Sequence, residues 1–348
     1  MNRFWASKSK LWVGVLAAVL LVFAAVLGFL MFNKKPIFTV QQGPQPTAPQ
    51  ERTWSVKSVD TMKFSRDLSA QAITDPRFDA VIDSQVKSIA ATGANTVAIA
   101  TPYDDRFVPI LSRWVAAARR YNLHVWFRGN FSGWEGWFGV PADLSRDEHK
   151  TKLAAFIRKN PNLFVDGDIF SPCPECENGG PGDPRNNGDV SGFRNFMIDE
   201  KQLCDSEFSK IGKKVDCGLW SMNYDIAKLV MDSDTAEQMG GVVAIDHYVD
   251  RADKLLGDID SLAKKANAKI FLGETGVPIP DINGNMTEDE QAGWIDSALA
   301  LLVKDPNVAG MNYWTSFGGS TAIFRDDGTA KPAVTKIANV YKLSILPD

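Results

Sequence analysis

The chain has 348 residues, 45% hydrophobic and 23% charged, with a formal net charge of −4. That is enough for a sizeable core, in one large domain or two small ones. The mild acidity gives no electrostatic footprint for nucleic acid. The three scattered histidines (His124, His149 and His247) argue against histidine-built zinc chemistry, and no metal or other cofactor is expected.

Arg3, Lys8 and Lys10 precede the run from Leu11 to Phe32, which carries no charge. A bilayer span takes about 20 apolar residues. The run ends in "LMFNKKP", which fits signal-peptidase cleavage poorly. The positive charge is slightly heavier on the N-terminal side, which favours an inside N-terminus. Residues 1–35 therefore read as an uncleaved signal anchor, a single transmembrane helix that leaves the rest of the chain outside the cytoplasm at the cell membrane. Residues 36–53, rich in proline and glutamine, read as a flexible, solvated tether. The folded domain is expected over 54–348.

From Trp54 onward short apolar runs alternate with longer amphipathic ones. Strands are expected at 54–59, 96–100, 124–128, 164–170, 216–221, 242–247, 269–273 and 309–314. Helices are expected at 78–92, 107–121, 146–159, 191–211, 251–266 and 288–304, with a last one opening on Pro332. Thr287 and Glu290 have the spacing of a capping box. The stretch "DIAKLVMDSDTAEQMGG" suits one broken helix or two short ones. Eight strands alternating with helices predict a single closed (β/α)8 barrel of the α/β class. An open doubly wound sheet is the alternative, but no Gly-rich phosphate turn follows the first strand.

In such a barrel, chemistry sits where strands end and helices have not yet begun. Those ends are rich in function-capable residues: Lys63, Tyr103, Asp104, Arg128, Asn130, Trp134, Trp137, Glu175, Glu177, Asn178, Trp220, Asn223, Tyr224, Asp246, His247, Tyr248, Glu274, Asn312, Tyr313 and Trp314. The opposite ends ("ATGAN", "ARRYN", "KKANA") are ordinary. The fourth strand leads into "SPCPECENGG" and the seventh into "GETG". These two strand ends face each other across a barrel mouth, so a carboxyl from each can reach one central sugar. A retaining glycosidase needs such a pair about 5–5.5 Å apart. Gly273 and Gly276 are expected to leave room for a sugar beside Glu274. Arg128 would hold an active-site carboxylate or form an internal salt bridge. Trp126 reads as core, whereas Trp134 and Trp137, in a Gly-rich loop, suit sugar stacking or packing equally.

At this point the sequence resembles the clan A glycoside hydrolases, barrel enzymes of the cellulase and mannanase type with glutamates at strands four and seven. The likeness spans nearly all of 54–345 and rests on "TGANTV", "IDHY", "GETG", "NYWTSFGG" and "FRDDGTAKPA" in their strand order. It implies Glu274 as nucleophile, Tyr248 as a hydrogen-bond donor to it, His247 beside them, and Trp314 as a sugar platform. Trp220 and Asn223 at the fifth strand are further candidates for substrate contact. The family's Asn-Glu at strand four is replaced by Pro174-Glu175-Cys176-Glu177-Asn178. Either glutamate can serve as acid/base. Glu175, closer to the strand end, is preferred, and Asn178 is a stand-in for the missing asparagine.

Cys173, Cys176, Cys204 and Cys217 all fall between strands four and five, and an exported chain favours disulfides over zinc or free thiols. Three pairings are possible, and bridges there would pin the glutamate-bearing loop. The expectation is a membrane-tethered retaining hydrolase acting on β-linked polysaccharide or oligosaccharide. A non-catalytic carbohydrate-binding barrel is the competing reading, and the separation of the two carboxyls discriminates between them.

Overall fold

Eight parallel strands form one curled sheet in the order β4-β3-β2-β1-β8-β7-β6-β5. They are β1 (Val56–Asp60), β2 (Thr96–Ile99), β3 (His124–Phe127), β4 (Ile169–Phe170), β5 (Met222–Asn223), β6 (Val242–Asp246), β7 (Lys269–Thr275) and β8 (Val308–Tyr313). The computed structural model describes residues 54–131, 138–140 and 144–343. The expected anchor and tether, and with them Trp134 and Trp137, lie outside the described residues. Among the described residues, no helix is long and apolar enough to cross a membrane.

The two ends of the strand order meet at Asp216. It pairs in parallel with Ile169, its carbonyl accepts from Phe170 N at 2.8 Å and its N–H donates to Asp168 O at 2.9 Å. The sheet is thereby closed into a barrel, with helices between successive strands.

Two expected strands are shorter or displaced. Only Ile169–Phe170 of the stretch 164–170 is strand, because "VDG" turns the chain. Gly167 takes φ +89°, and the buried Asp168 carboxylate accepts from Val125 N and Val165 N, each at 2.9 Å. The fifth strand falls at Met222–Asn223, beyond the expected 216–221. The stretch after it holds two short helices, Tyr224–Val230 and Ser233–Gln238. The capping box at Thr287 and Glu290 forms, and a second one forms at Ser145 and Glu148.

Strand alternation sorts side chains into two layers. Val59, Val97, Ile99, Val125, Phe127, Val243, Ile245, Ile270 and Leu272 face outward into the large core under the helices. Ala98, Trp126, Ile169, Leu219, Ala244 and Phe271 face inward and fill the barrel as a separate apolar cluster. Trp126 is fully buried there, edge-on to Phe271, with its Nε1 donating to Ser171 Oγ at 2.8 Å. Two residues further along each strand, the same inward alternation delivers Asp60, Arg128 and Asp246. The barrel interior therefore changes from apolar to charged in a single step towards the strands' C-terminal ends.

Candidate active site

Glu274 reaches the interior through an irregularity in β7. Phe271 points inward, so strict alternation would turn Glu274 outward. The register with β6 instead shifts from Ile245–Leu272 to Asp246–Glu274, and that with β8 from Leu272–Met311 to Thr275–Tyr313. Gly273 is the extra residue, and such an insertion re-aims the next side chain. A Cβ on Gly273 would lie 2.5 Å from Asp246 Oδ1 and 2.8 Å from Ser221 Cβ. At Gly276 it would strike the Trp314 carbonyl. This corrects the expectation that these glycines clear space for a sugar. They clear space for the protein's own groups, which in turn fix where Glu274 points.

Arg128 is the hub of the charged layer. Its Nη1 donates to Asp60 Oδ2 at 2.7 Å and to Glu274 Oε1 at 2.8 Å. Its Nη2 donates to Ser221 Oγ at 3.0 Å and reaches Asp246 Oδ2 at 3.4 Å. The guanidinium lies over the Trp126 ring at 4.8 Å, so the apolar plug is its floor. One arginine thus serves three carboxylates. Asp60 is the best provided, with Met62 N at 2.6 Å and Asn312 Nδ2 at 3.1 Å as further donors. The other oxygen of Glu274 accepts from Tyr248 Oη at 2.7 Å. Burial first, and then the charge of Glu274, push the Tyr248 phenol well above its usual range, so it remains a donor.

Opposite, the loop after β4 brings in Glu175. Its backbone N donates to Ser221 O at 2.8 Å and its Oε1 accepts from Asn178 Nδ2 at 3.2 Å. Carboxylate oxygens of Glu175, Asp246 and Glu274 all lie within 4.8 Å of one another. Burial, then the charges of Glu274 and Asp246, drive the Glu175 carboxyl well above the ordinary range. Asp246 is pushed up in the same way by burial and by Glu274. Three converging carboxylates can also ligate a cation, but the Arg128 guanidinium already fills that role for Asp246 and Glu274.

Glu177 does not join this trio. Its Oε1 accepts from Asn223 N at 2.6 Å, its buried Oε2 has no hydrogen-bond partner among the described residues, and burial raises its carboxyl to about 7. Asn178 links the two glutamates' surroundings, because its Oδ1 accepts from Asn223 Nδ2 at 3.2 Å. Trp314 is half-buried at the mouth, edge-on to Tyr248, with Lys63 Nζ 5.3 Å from its ring centre.

Other candidates lie elsewhere. His247 stacks on Tyr224 with ring centres 4.1 Å apart, and its Nε2 bonds Asp258 of the helix Ala252–Ala266 at 2.9 Å. Trp220 lies in the outer core, edge-on to Phe196, because it is one residue out of phase with the inward-facing Ser221. Tyr103 and Tyr313 are buried and donate to backbone carbonyls. Both cysteine pairs are bridged, Cys173 to Cys176 and Cys204 to Cys217. Sequence reasoning missed Asp60 and Ser221. For Asp60 a signal existed: Ser58 and Asp60 are polar residues at the inward positions of a strand whose outward neighbour is valine.

No family model and no curated protein matches the sequence. Solved structures match it in fold. The crystal structure of a GH5_18 protein from Streptomyces cattleya in complex with Manβ1-4GlcNAc gives a TM-score of 0.63 at 14% identity, covering 84% of this chain and 80% of that one. This chain has the (β/α)8 fold of glycoside hydrolases. The β-D-glucuronidase of Dictyoglomus thermophilum gives 0.55 at 14% identity over 85% of this chain and 51% of that one. The β-glucuronidase of Ruminococcus gnavus gives 0.54 at 11%, over 76% and 46%. The chain thus spans about half the length of these two glucuronidases.

Proposed function

We propose that the protein is a retaining β-glycosidase in which Glu274 is the nucleophile and Glu175 the general acid/base. The observation that carries this reading is the approach of their carboxylate oxygens to within 4.8 Å. That spacing suits double displacement, which uses carboxyls about 5–5.5 Å apart. Inversion must fit a water between them and needs about 6.5–9.5 Å. It also favours catalysis over a barrel that only binds sugar.

The reaction follows from the two environments. A Glu274 oxygen attacks the anomeric carbon as the bond to the leaving oxygen breaks, and the Glu175 proton moves to that oxygen. The sugar is then esterified to Glu274. Glu175, now a carboxylate, takes a proton from an entering water whose oxygen attacks the same carbon. The C–O bond to Glu274 breaks and the starting configuration is restored. Arg128 and Tyr248 hold Glu274 in aim, and Trp314 supplies an apolar face for the sugar ring. Asn130, which lines a small recess with Glu175, also borders a separate cleft of about 540 Å³ with Asp104, Arg106 and Lys152, which suits a hydroxyl-rich chain.

We further place the enzyme at the cell membrane, with residues 11–32 as the anchor, 36–53 as the tether and the barrel outside the cytoplasm. The uncharged run and the two disulfides support this placement. The mechanism is tested by proton NMR of hydrolysis of a panel of 2,4-dinitrophenyl β-glycosides. The first sugar product should carry the β configuration, and an α product would overturn the retaining reading. The placement is tested by membrane fractionation: the full chain should sediment with membranes, and a chain beginning at residue 50 should not.

A further inference from the structure

The two disulfides sit in different mechanical positions. Cys204–Cys217 ties the helix Val190–Lys210 to the segment entering β5, and no carboxyl of the trio lies within the stretch it closes. Cys173–Cys176 closes a segment of four residues, Cys-Pro-Glu-Cys, with Glu175 inside it. Glu175 takes φ +46°, the left-handed region that a side chain with a Cβ enters at a cost. Among the described residues, the other non-glycine residues at positive φ, Asn122, Phe138 and Asn267, lie outside the charged layer.

Something must hold Glu175 there. Among the described residues its side chain has one partner, the Asn178 amide at 3.2 Å, and its backbone makes two bonds, its N–H donating to Ser221 O and its carbonyl accepting from Asn178 N, each at 2.8 Å. The bridge adds the covalent constraint, joining the residues on either side of Pro174 and Glu175. Both cysteines are buried, and Gly180 folds against them so closely that a Cβ would lie 2.7 Å from Cys176 Sγ and 3.0 Å from Cys173 Sγ. The bridged segment is therefore clamped between β4 and Gly180. Opened, it keeps these hydrogen bonds but loses the covalent constraint against a return of Glu175 to negative φ, which swings its carboxyl off the line to Glu274.

We infer that the Cys173–Cys176 disulfide is the positioning element of the proton donor, holding Glu175 in the left-handed conformation that aims its carboxyl at Glu274. The inference rests on the reading of Glu175 as the general acid. It gives the bridge a catalytic signature that a merely stabilising bridge lacks. Losing a positioned proton donor penalises poor leaving groups and spares those that depart without a proton.

The experiment compares a 2,4-dinitrophenyl β-glycoside with the methyl β-glycoside of the same sugar. Cys173→Ala/Cys176→Ala should lose about a hundredfold or more in kcat/KM on the methyl glycoside and only a few-fold on the dinitrophenyl one. Azide should raise its turnover and yield the β-glycosyl azide. Cys204→Ala/Cys217→Ala should lower the melting temperature while leaving the ratio between the two substrates at the wild-type value. In that second background dithiothreitol can reduce only the remaining bridge, giving two thiols and its own cyclic disulfide, and the same selective loss should appear. This measurement decides the matter if the first variant does not fold. A wild-type substrate ratio in the reduced protein, with two thiols titrated, overturns the inference. Glu175→Ala separates the two levels: if it too keeps the wild-type ratio, the general-acid reading is what has failed.

Discussion

The two sides of the barrel mouth treat the same residue type in opposite ways. On the β7 side Glu274 is met by donors on both oxygens, a guanidinium at 2.8 Å and a phenol at 2.7 Å. On the β4 side Glu175 is met by one amide at 3.2 Å, by burial, and by the charges of Glu274 and Asp246. Donors favour the ionised form of a carboxyl, whereas burial and like charge favour the protonated one. Under the proposed double displacement, the donor-rich side carries the nucleophile and the donor-poor side the proton donor. Partners on other strands make the contrast on the Glu274 side, Arg128 and Tyr248, whereas burial comes first on the Glu175 side.

The sharpest way to break the comparison is to remove the group on the charged side. Glu274→Gln keeps the shape and deletes the proposed nucleophile, so kcat on a dinitrophenyl β-glycoside should fall by about 10⁴-fold or more. Full activity on a substrate the wild type cleaves would end the double-displacement reading. The same variant sharpens the comparison from the other side. The Glu274 charge helps to raise the Glu175 carboxyl, so its removal should move the Glu175 titration to lower pH. A ¹³C-detected carboxyl titration of the folded variant reads this directly, and an unchanged midpoint would mean that the two groups do not couple.

Deleting the protonated side should cost less and should depend on the substrate. Glu175→Ala is expected to lose about 10²–10⁴-fold on glycosides whose leaving group needs a proton, and little on the dinitrophenyl glycoside, with azide restoring part of its turnover. If Glu175→Ala behaves as wild type and Glu177→Ala shows this pattern, the acid/base is two residues along.

Glu177 tests burial outside the three-carboxylate cluster. Its carboxyl, at about 7 in the fold, lies above the ordinary unfolded value. For a group raised on folding, the stabilisation is complete below the unfolded value, near pH 4, and is lost as pH climbs through 7. The loss is on the order of 3 kcal/mol. Glu177→Gln keeps an acceptor for the Asn223 N–H and cannot ionise. Its melting temperature should exceed that of the wild type at pH 8, with the gap closing at pH 5. Parallel curves across that range would show that Glu177 is already ionised or solvated in the folded state.

Much of this arrangement is legible in the sequence, because period-2 alternation and strand-end location are local properties. The helices from 78 to 91 and 108 to 120 and the carboxyls after strands four and seven follow from patterns within a few residues. What escapes is decided by a partner distant in the chain. Trp220 is invisible as a core residue until Phe196 is placed against it, and His247 until Tyr224 and Asp258 are. The inward turn of Glu274 depends on where β7 gains a residue against β6 and β8, which no periodicity within β7 reveals. Asp60 was within reach, since alternation alone sets it beside Ser58 on the inner face.

The mildest intervention leaves both carboxyls in place and weakens one side's hold. Tyr248 donates to Glu274 Oε2 at 2.7 Å, and its ring is edge-on to Trp314 with centres 5.9 Å apart. Tyr248→Phe keeps that ring contact and deletes one hydrogen bond, while Arg128 still holds Oε1. A hydrogen bond to a charged group contributes about 1.5–3 kcal/mol. Turnover should therefore fall by about 10- to 100-fold, far less than in Glu274→Gln. The fall should be the same for good and poor leaving groups, because Glu175, the proposed proton donor, is untouched. Equal losses on dinitrophenyl and methyl glycosides would place Tyr248 on the nucleophile's side of the mouth. A loss confined to the methyl glycoside would place it with Glu175 instead, and the division of the mouth into a donor-rich and a donor-poor half would have to be redrawn.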